Sequence, residues 1–145
     1  MTPQRRRIRT SPPAGAPAIV FDAGALIELE RGSRWLVALL SEIAEADGRV
    51  LIPAGALAQA WRGGGSARVS RVAHSRQSTV VSFDAAAAYA VGELLAESDT
   101  SDVVDASVVV VARFNQCAII TSDLADLRAL DGSATLFRAD TGRAG

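Results

Sequence analysis

The stretch AIVFDAGALIELE, residues 18–30, is where the fold of this chain is decided. Strand-forming apolar residues run from Ala18 to Phe21 and stop at Asp22-Ala23-Gly24. Helical spacing takes over at Ala25, Leu26 and Leu29. An aspartate therefore stands at the carboxyl end of a strand. CAIITSDLADLRAL, residues 117–130, repeats the arrangement: an apolar strand over 117–120 ends at Thr121-Ser122-Asp123, and a helix follows over 124–130. In open α/β sheets, ligands collect outside the carboxyl ends of the strands, so aspartates ending two neighbouring parallel strands face one crevice.

A third segment, DVVDAS at 102–107, places Asp105 at or near the start of a helix running to Arg113, where its carboxylate is expected against the free N–H groups of the first turn. Asp102 lies three residues earlier, on the same helix face. If the sheet is parallel, Asp22, Asp105 and Asp123 gather at one edge. Two unit charges about 4 Å apart repel by roughly 4 kcal/mol at an effective dielectric near 20. Three close carboxylates thus carry a penalty comparable to the stability of a small domain. Relief comes from a raised pKa, a basic side chain or a bound cation. Magnesium or manganese suits such a cluster, because both prefer oxygen ligands and use few carboxylates together with water and phosphate. Zinc is disfavoured: the chain has one cysteine, Cys117, within an apolar strand pattern, and one histidine, His74, in a polar stretch.

The rest of the chain alternates strands and helices. After the helix through Glu30, a break at Gly32 precedes an amphipathic helix over 34–46, with Leu36, Leu39, Leu40 and Ile43 on its buried face. A short strand over 50–52 ends at Pro53, a helix spans 54–61, and Gly63-Gly64-Gly65 stops it. This triglycine lacks the ending of a phosphate-binding loop and reads as a flexible turn. Residues 67–76 are weakly helical, 79–83 form a strand, and Asp84 caps a helix over 85–97. A last strand falls near 135–138. Residues 108–111 are four consecutive valines, which suits a strand; their place between Asp105 and the 117–120 strand favours a buried helix, and the pattern leaves both open. Five short strands between helices argue for an α/β fold with a parallel sheet covered on both faces.

With 145 residues, 49% of them hydrophobic, the chain has the material for one domain with a real core. The reading divides it into an Arg/Pro-rich disordered leader at 1–17, a domain at 18–140 and a tail at 141–145. The leader carries Arg5, Arg6, Arg7 and Arg9 but no apolar run behind them, so it is not a secretory signal. No apolar stretch is long enough to cross a bilayer, and a lone cysteine fits a reducing cytoplasm. The formal net charge of −1 does not by itself imply a polyanionic partner. The stretch 62–76 is different. It carries Arg62, Arg68, Arg71 and Arg76 without an acid, and reads equally as a phosphate-binding surface or a solvated helix face. Trp61 beside Arg62 suits base stacking or packing equally, and Trp35 is read as core.

The order and spacing of a strand ending in Asp22, a helix opening with Asp105-Ala106-Ser107-Val108, and ITSD before a short helix resemble the PIN-domain nucleases, most closely the VapC-type toxin ribonucleases. The likeness covers residues 18–139. It implies a three-layer α/β/α sandwich with a central parallel sheet of about five strands. It also implies an acidic pocket holding Mg2+ or Mn2+, an RNA substrate, a small antitoxin protein as partner, and a homodimer. Carried over, Asp22, Asp105 and Asp123 become metal ligands and catalytic residues. Thr121 and Ser122 orient a water or phosphate, or serve as plain helix caps. The family's helix glutamate, within IPAGALAQAWR at 52–62, is here Gln59, which offers a carbonyl oxygen but no carboxylate. Asp102 is the acid placed to compensate; Glu28 reads as a solvated helix-end acid. Gln59 therefore keeps a second possibility open, a catalytically weak or inactive PIN-like binding module. A phosphoacceptor domain is disfavoured by the absence of lysine, and a dehalogenase-type phosphatase by Gly24 two residues after Asp22.

Overall fold

The computed structural model describes residues 16–145; the leader expected at 1–17 lies outside them except for Ala16 and Pro17. The chain alternates β1 (Ala18–Phe21), α1 (Ala23–Glu30), α2 (Arg34–Glu45), β2 (Arg49–Pro53), α3 (Ala54–Ala60), α4 (Ala67–Ala73) and β3 (Ser78–Val81). It continues through α5 (Ala85–Ser98), α6 (Val103–Asn115), β4 (Ala118–Thr121), α7 (Leu124–Leu130) and β5 (Leu136–Arg138). All strand pairs are parallel, in the order β3-β2-β1-β4-β5. This is the expected three-layer α/β/α architecture.

Strand periodicity explains why both faces are covered. Ile19 and Phe21, Val50 and Ile52, and Ile120 point into one apolar cluster with Leu26, Leu29, Leu36 and Val69 from α1, α2 and α4. Val20, Leu51 and Ile119 point to the other face, against Val91, Leu94, Val108, Val109, Leu127 and Leu130 from α5, α6 and α7. Successive strand residues alternate sides, so a continuous apolar run serves two layers. The valine run is helical, because Val108 and Val109 are wholly buried in the second cluster. Burial of this kind outweighs the small intrinsic helix disadvantage of valine.

Several boundaries differ from the sequence reading. The third strand stops at Val81, leaving Phe83 outside it and 45% exposed. Cys117 precedes β4 and is half-buried, with burial raising its thiol pKa. The triglycine forms a short 3-10 turn closed by Ser66, whose Oγ accepts from Arg62 N–H at 2.8 Å. Residues 141–145 fold back: Gly142 lies against Trp35, and Gly145 N–H bonds to the Leu136 carbonyl at 2.9 Å. Trp35 packs against the first core cluster.

The strand order places β1 beside β4, where the chain's direction of travel across the sheet reverses. Phe21 pairs with Ile120, and Asp22 N–H reaches the Ile120 carbonyl at 3.2 Å. The two aspartate-bearing turns leave the sheet side by side at this switch point.

Candidate acidic site

Three helix starts converge on this edge, each capped by an aspartate. Asp22 caps α1 through Ala25 N–H at 2.7 Å, Asp102 caps α6 through Asp105 N–H at 2.9 Å, and Asp123 caps α7 through Asp126 N–H at 3.1 Å. Asp105 is therefore not the cap of its helix. Asp102 performs that task, being in extended backbone conformation ahead of the helix, and the Asp105 carboxylate in the first turn is left free.

Asp22 is 5% exposed and Thr121 is wholly buried beside it. Burial pushes the Asp22 carboxyl up, the Thr121 hydroxyl and Ala25 N–H hold it down, and Asp123 pushes it up again. Thr121 Oγ1 also accepts from Asp123 N–H at 2.8 Å, so one hydroxyl ties the two aspartate turns together. Ser122 is exposed and lies against Gly24: a Cβ built on Gly24 would stand 2.8 Å from the Ser122 Cβ. Only glycine allows α1 to start this close to the β4–α7 turn.

The charge collects on Asp105. Burial raises its pKa to about 6, followed by repulsion from Asp102, Asp22, Asp126 and Asp123. Asp126 is a participant that the sequence reading missed. Its carboxyl pKa is raised by a hydrogen bond with Asp123, then by repulsion from Asp123, burial and Asp102. The signal was present: Asp123 and Asp126 repeat the spacing of Asp102 and Asp105, a capping acid followed three residues later by a second acid in the first turn.

Other candidates lie elsewhere. Glu28 pairs with Arg31 at 3.0 Å on the surface of α1. His74 ends α4 and is exposed. Arg68 donates to the Glu30 carbonyl at 2.6 Å, at the end of α1 opposite Asp22. Gln59 is exposed on α3, one turn beyond Gly55, which faces Val104 and Ser107 of α6. An apolar groove of about 380 Å³ between α5, α6 and the start of α3 is lined by Phe83, Asp84, Ala87, Val91, Ser107 and Phe114, among others. None of the five clustered aspartates lines it.

The donor set is all carboxylate oxygen, and every charged group acting on Asp105 is negative. That chemistry fits a hard divalent cation, whose charge would relieve the repulsion. Among the described residues, no group of three or more His, Cys, Asp or Glu side chains is arranged to hold one ion.

No protein-family model matches the sequence, and no curated protein matches it. Solved structures do match. VapC20 of Mycobacterium tuberculosis, a sarcin–ricin loop cleaving toxin, is 18% identical with a TM-score of 0.58, covering 78% of this chain and 95% of its own. A structure of VapBC2 from Rickettsia felis bound to promoter DNA is 10% identical, with a TM-score of 0.64 and coverage of 83% and 98%. The FitAcB structure from Neisseria gonorrhoeae is 18% identical, with a TM-score of 0.60 and coverage of 83% and 97%.

The chain has the PIN-like fold. Within it, Asp22 and Asp123 occupy the carboxyl ends of the two central strands, β1 and β4, and Asp105 the first turn of the helix that packs beneath them. Among the described residues no helix is long and apolar enough to cross a membrane.

Proposed function

We propose that this chain is a Mg2+- or Mn2+-dependent endoribonuclease, the toxin of a toxin–antitoxin pair acting in the cytoplasm. The observation that carries the reading is that Asp22 and Asp123 end neighbouring parallel strands and are tied together through Thr121, with Asp105 close enough to be acted on by both, in a fold shared with a sarcin–ricin loop cleaving toxin.

Asp22, Asp105 and Asp123 would hold the cation. When bound there, the ion supplies Lewis acidity toward a phosphodiester and lowers the pKa of a coordinated water. Asp22 is the most buried of the three, held by the Ala25 N–H and the Thr121 hydroxyl. Thr121 keeps the Asp22 and Asp123 turns in register. Asp102 and Asp126 add negative charge around Asp105. Ser122, exposed at the mouth, offers a hydroxyl to a phosphate oxygen. Asp105 must lose its proton to bind a cation, so cation affinity rises with pH through about 6.

The proposed partners are RNA, a small antitoxin protein and a second copy of this chain. Support for a protein partner comes from solved neighbours that are named as two-protein assemblies. Phe114 at 87% and Tyr89 at 78% exposure mark apolar surface on the α5–α6 side for such contacts.

The decisive experiment incubates RNA with the purified protein and magnesium or manganese. Asp22→Asn is expected to lower cleavage by about 100-fold or more; an Asp22→Asn variant as active as the wild type would defeat the proposal. Gln59 favours a second reading, a weak or inactive module acting by binding. It predicts that Gln59→Glu creates or sharply raises activity, and a wild type as active as that variant argues against it.

A further inference from the structure

Between Asp47 and Asp84 the sequence holds no acidic residue, yet it carries Arg49, Arg62, Arg68, Arg71 and Arg76. Arg49 is used internally, on Thr79. The other four are exposed along the α3–α4 segment. Arg31, Arg113 and Arg138 all pair with carboxylates, whereas none of Arg62, Arg68, Arg71 and Arg76 does so among the described residues. Glu30, which reaches this region, is engaged by Val69 N–H at 2.9 Å.

The ridge is built rather than loose. Val69 is buried, which turns Arg68 and Arg71, three residues apart, toward solvent on one face of α4. Arg68 is steadied by the Glu30 carbonyl. At the ridge's beginning, the 3-10 turn holds the Arg62 backbone through Ser66, the Arg62 guanidinium donates to the Trp61 carbonyl at 2.6 Å, and Trp61 leaves 42% of its surface exposed beside it. α3 runs from Pro53, at the carboxyl end of β2 on the sheet edge of the acidic cluster, to this corner, and the ridge continues to Arg76 just before β3 begins at the other edge.

From this arrangement we infer that Trp61, Arg62, Arg68, Arg71 and Arg76 form a track for single-stranded RNA leading to the acidic site. The guanidinium groups bind phosphates and the indole stacks on a base. The choice of RNA rests on the nuclease reading. An aromatic face next to guanidiniums that have no carboxylate partner matches the alternation of base and phosphate in a single strand, which an acidic peptide does not present.

The test measures binding without cleavage: fluorescence anisotropy of a labelled oligouridylate in EDTA, over a salt series. Arg71→Glu combined with Arg76→Glu is expected to weaken binding at least about tenfold and to flatten the salt slope by about 1.4, two phosphate contacts on a single strand. Trp61→Ala should weaken it by about 5- to 100-fold, with Trp61→Phe retaining most affinity. Arg143→Glu, beside β5 at the far end of the strand order from β3, should change little. Unchanged binding in the Arg71→Glu, Arg76→Glu double variant, or competition by polyglutamate as effective as by RNA, overturns the inference. The outcomes separate the two proposals: ridge-dependent binding without metal-dependent cleavage defeats the nuclease reading alone, and cleavage with ridge-independent binding defeats the track alone.

Discussion

Asp105 and Asp131 sit at opposite ends of α6 surroundings and show what neighbours do to the same side chain. Asp131 is 8% exposed, yet its carboxyl is pulled down to about 2, because Arg113 donates to it at 2.8 Å and Ser133 donates through both N–H and hydroxyl. Asp105 is pushed up to about 6 by burial and four surrounding aspartates. One acid accepts three hydrogen bonds and ties α6 to the α7–β5 connection. The other stands in a field that disfavours its charge. A fold retains such a frustrated group more readily at a site that awaits a ligand than in its framework.

The comparison predicts opposite signs for similar substitutions. Asp131→Ala removes a satisfied acceptor and should lower stability by about 1–3 kcal/mol, read as a falling urea midpoint. Gly24→Ala tests the close approach that holds the acidic turns together. Its new methyl must displace Ser122, and the expected loss is about 1–2 kcal/mol, with reduced RNA cleavage as the turns move apart. Asp105→Asn should raise metal-free stability at pH 7 by about 1 kcal/mol, allowing for solvent screening of a half-exposed group, or roughly 3 °C in Tm, while cleavage is lost. An Asp105→Asn variant less stable than the wild type would erase the distinction between the two aspartates.

The pH profile gives the smallest and most diagnostic effect. Asp105 binds its proton more tightly in the folded state, so its contribution is fully present below the unfolded value of 3.8 and is lost as pH rises through about 6. Asp22 and Asp126, also raised, act in the same direction. Asp131 has the opposite sign, stabilising above 3.8 and losing that contribution as pH falls through about 2. Metal-free denaturant titrations should show stability rising from pH 7 toward pH 4 and declining below it. In Asp105→Asn the rise between pH 7 and 4 should shrink.

Much of the fold was legible because its signals are local. Apolar runs at 18–21 and 117–120, each leading to a turn aspartate, marked the neighbouring strands β1 and β4, the second lying one residue further on, and α7 has the bounds read from its spacing. The valine run was ambiguous because β-branching and burial point to different elements, and only the packing of α6 between the sheet, α5 and α7 resolves it. Asp105 was assigned the capping task because both it and Asp102 are good caps, and the backbone alone shows which residue stands outside the helix. Asp126 went unnoticed because one acid in a helix's first turn is unremarkable until its neighbours in space are known.

The sequence by itself determined the kinds of element, their order and the aspartates that end them, since propensity, periodicity and capping act over a few residues. The tertiary structure alone decided that β1 and β4 lie side by side. That adjacency brings the Asp22 and Asp123 turns, 101 positions apart along the chain, side by side, so that their carboxylates act on each other and on Asp105. Coulomb repulsion depends on distance through space, and no local pattern along the chain encodes it.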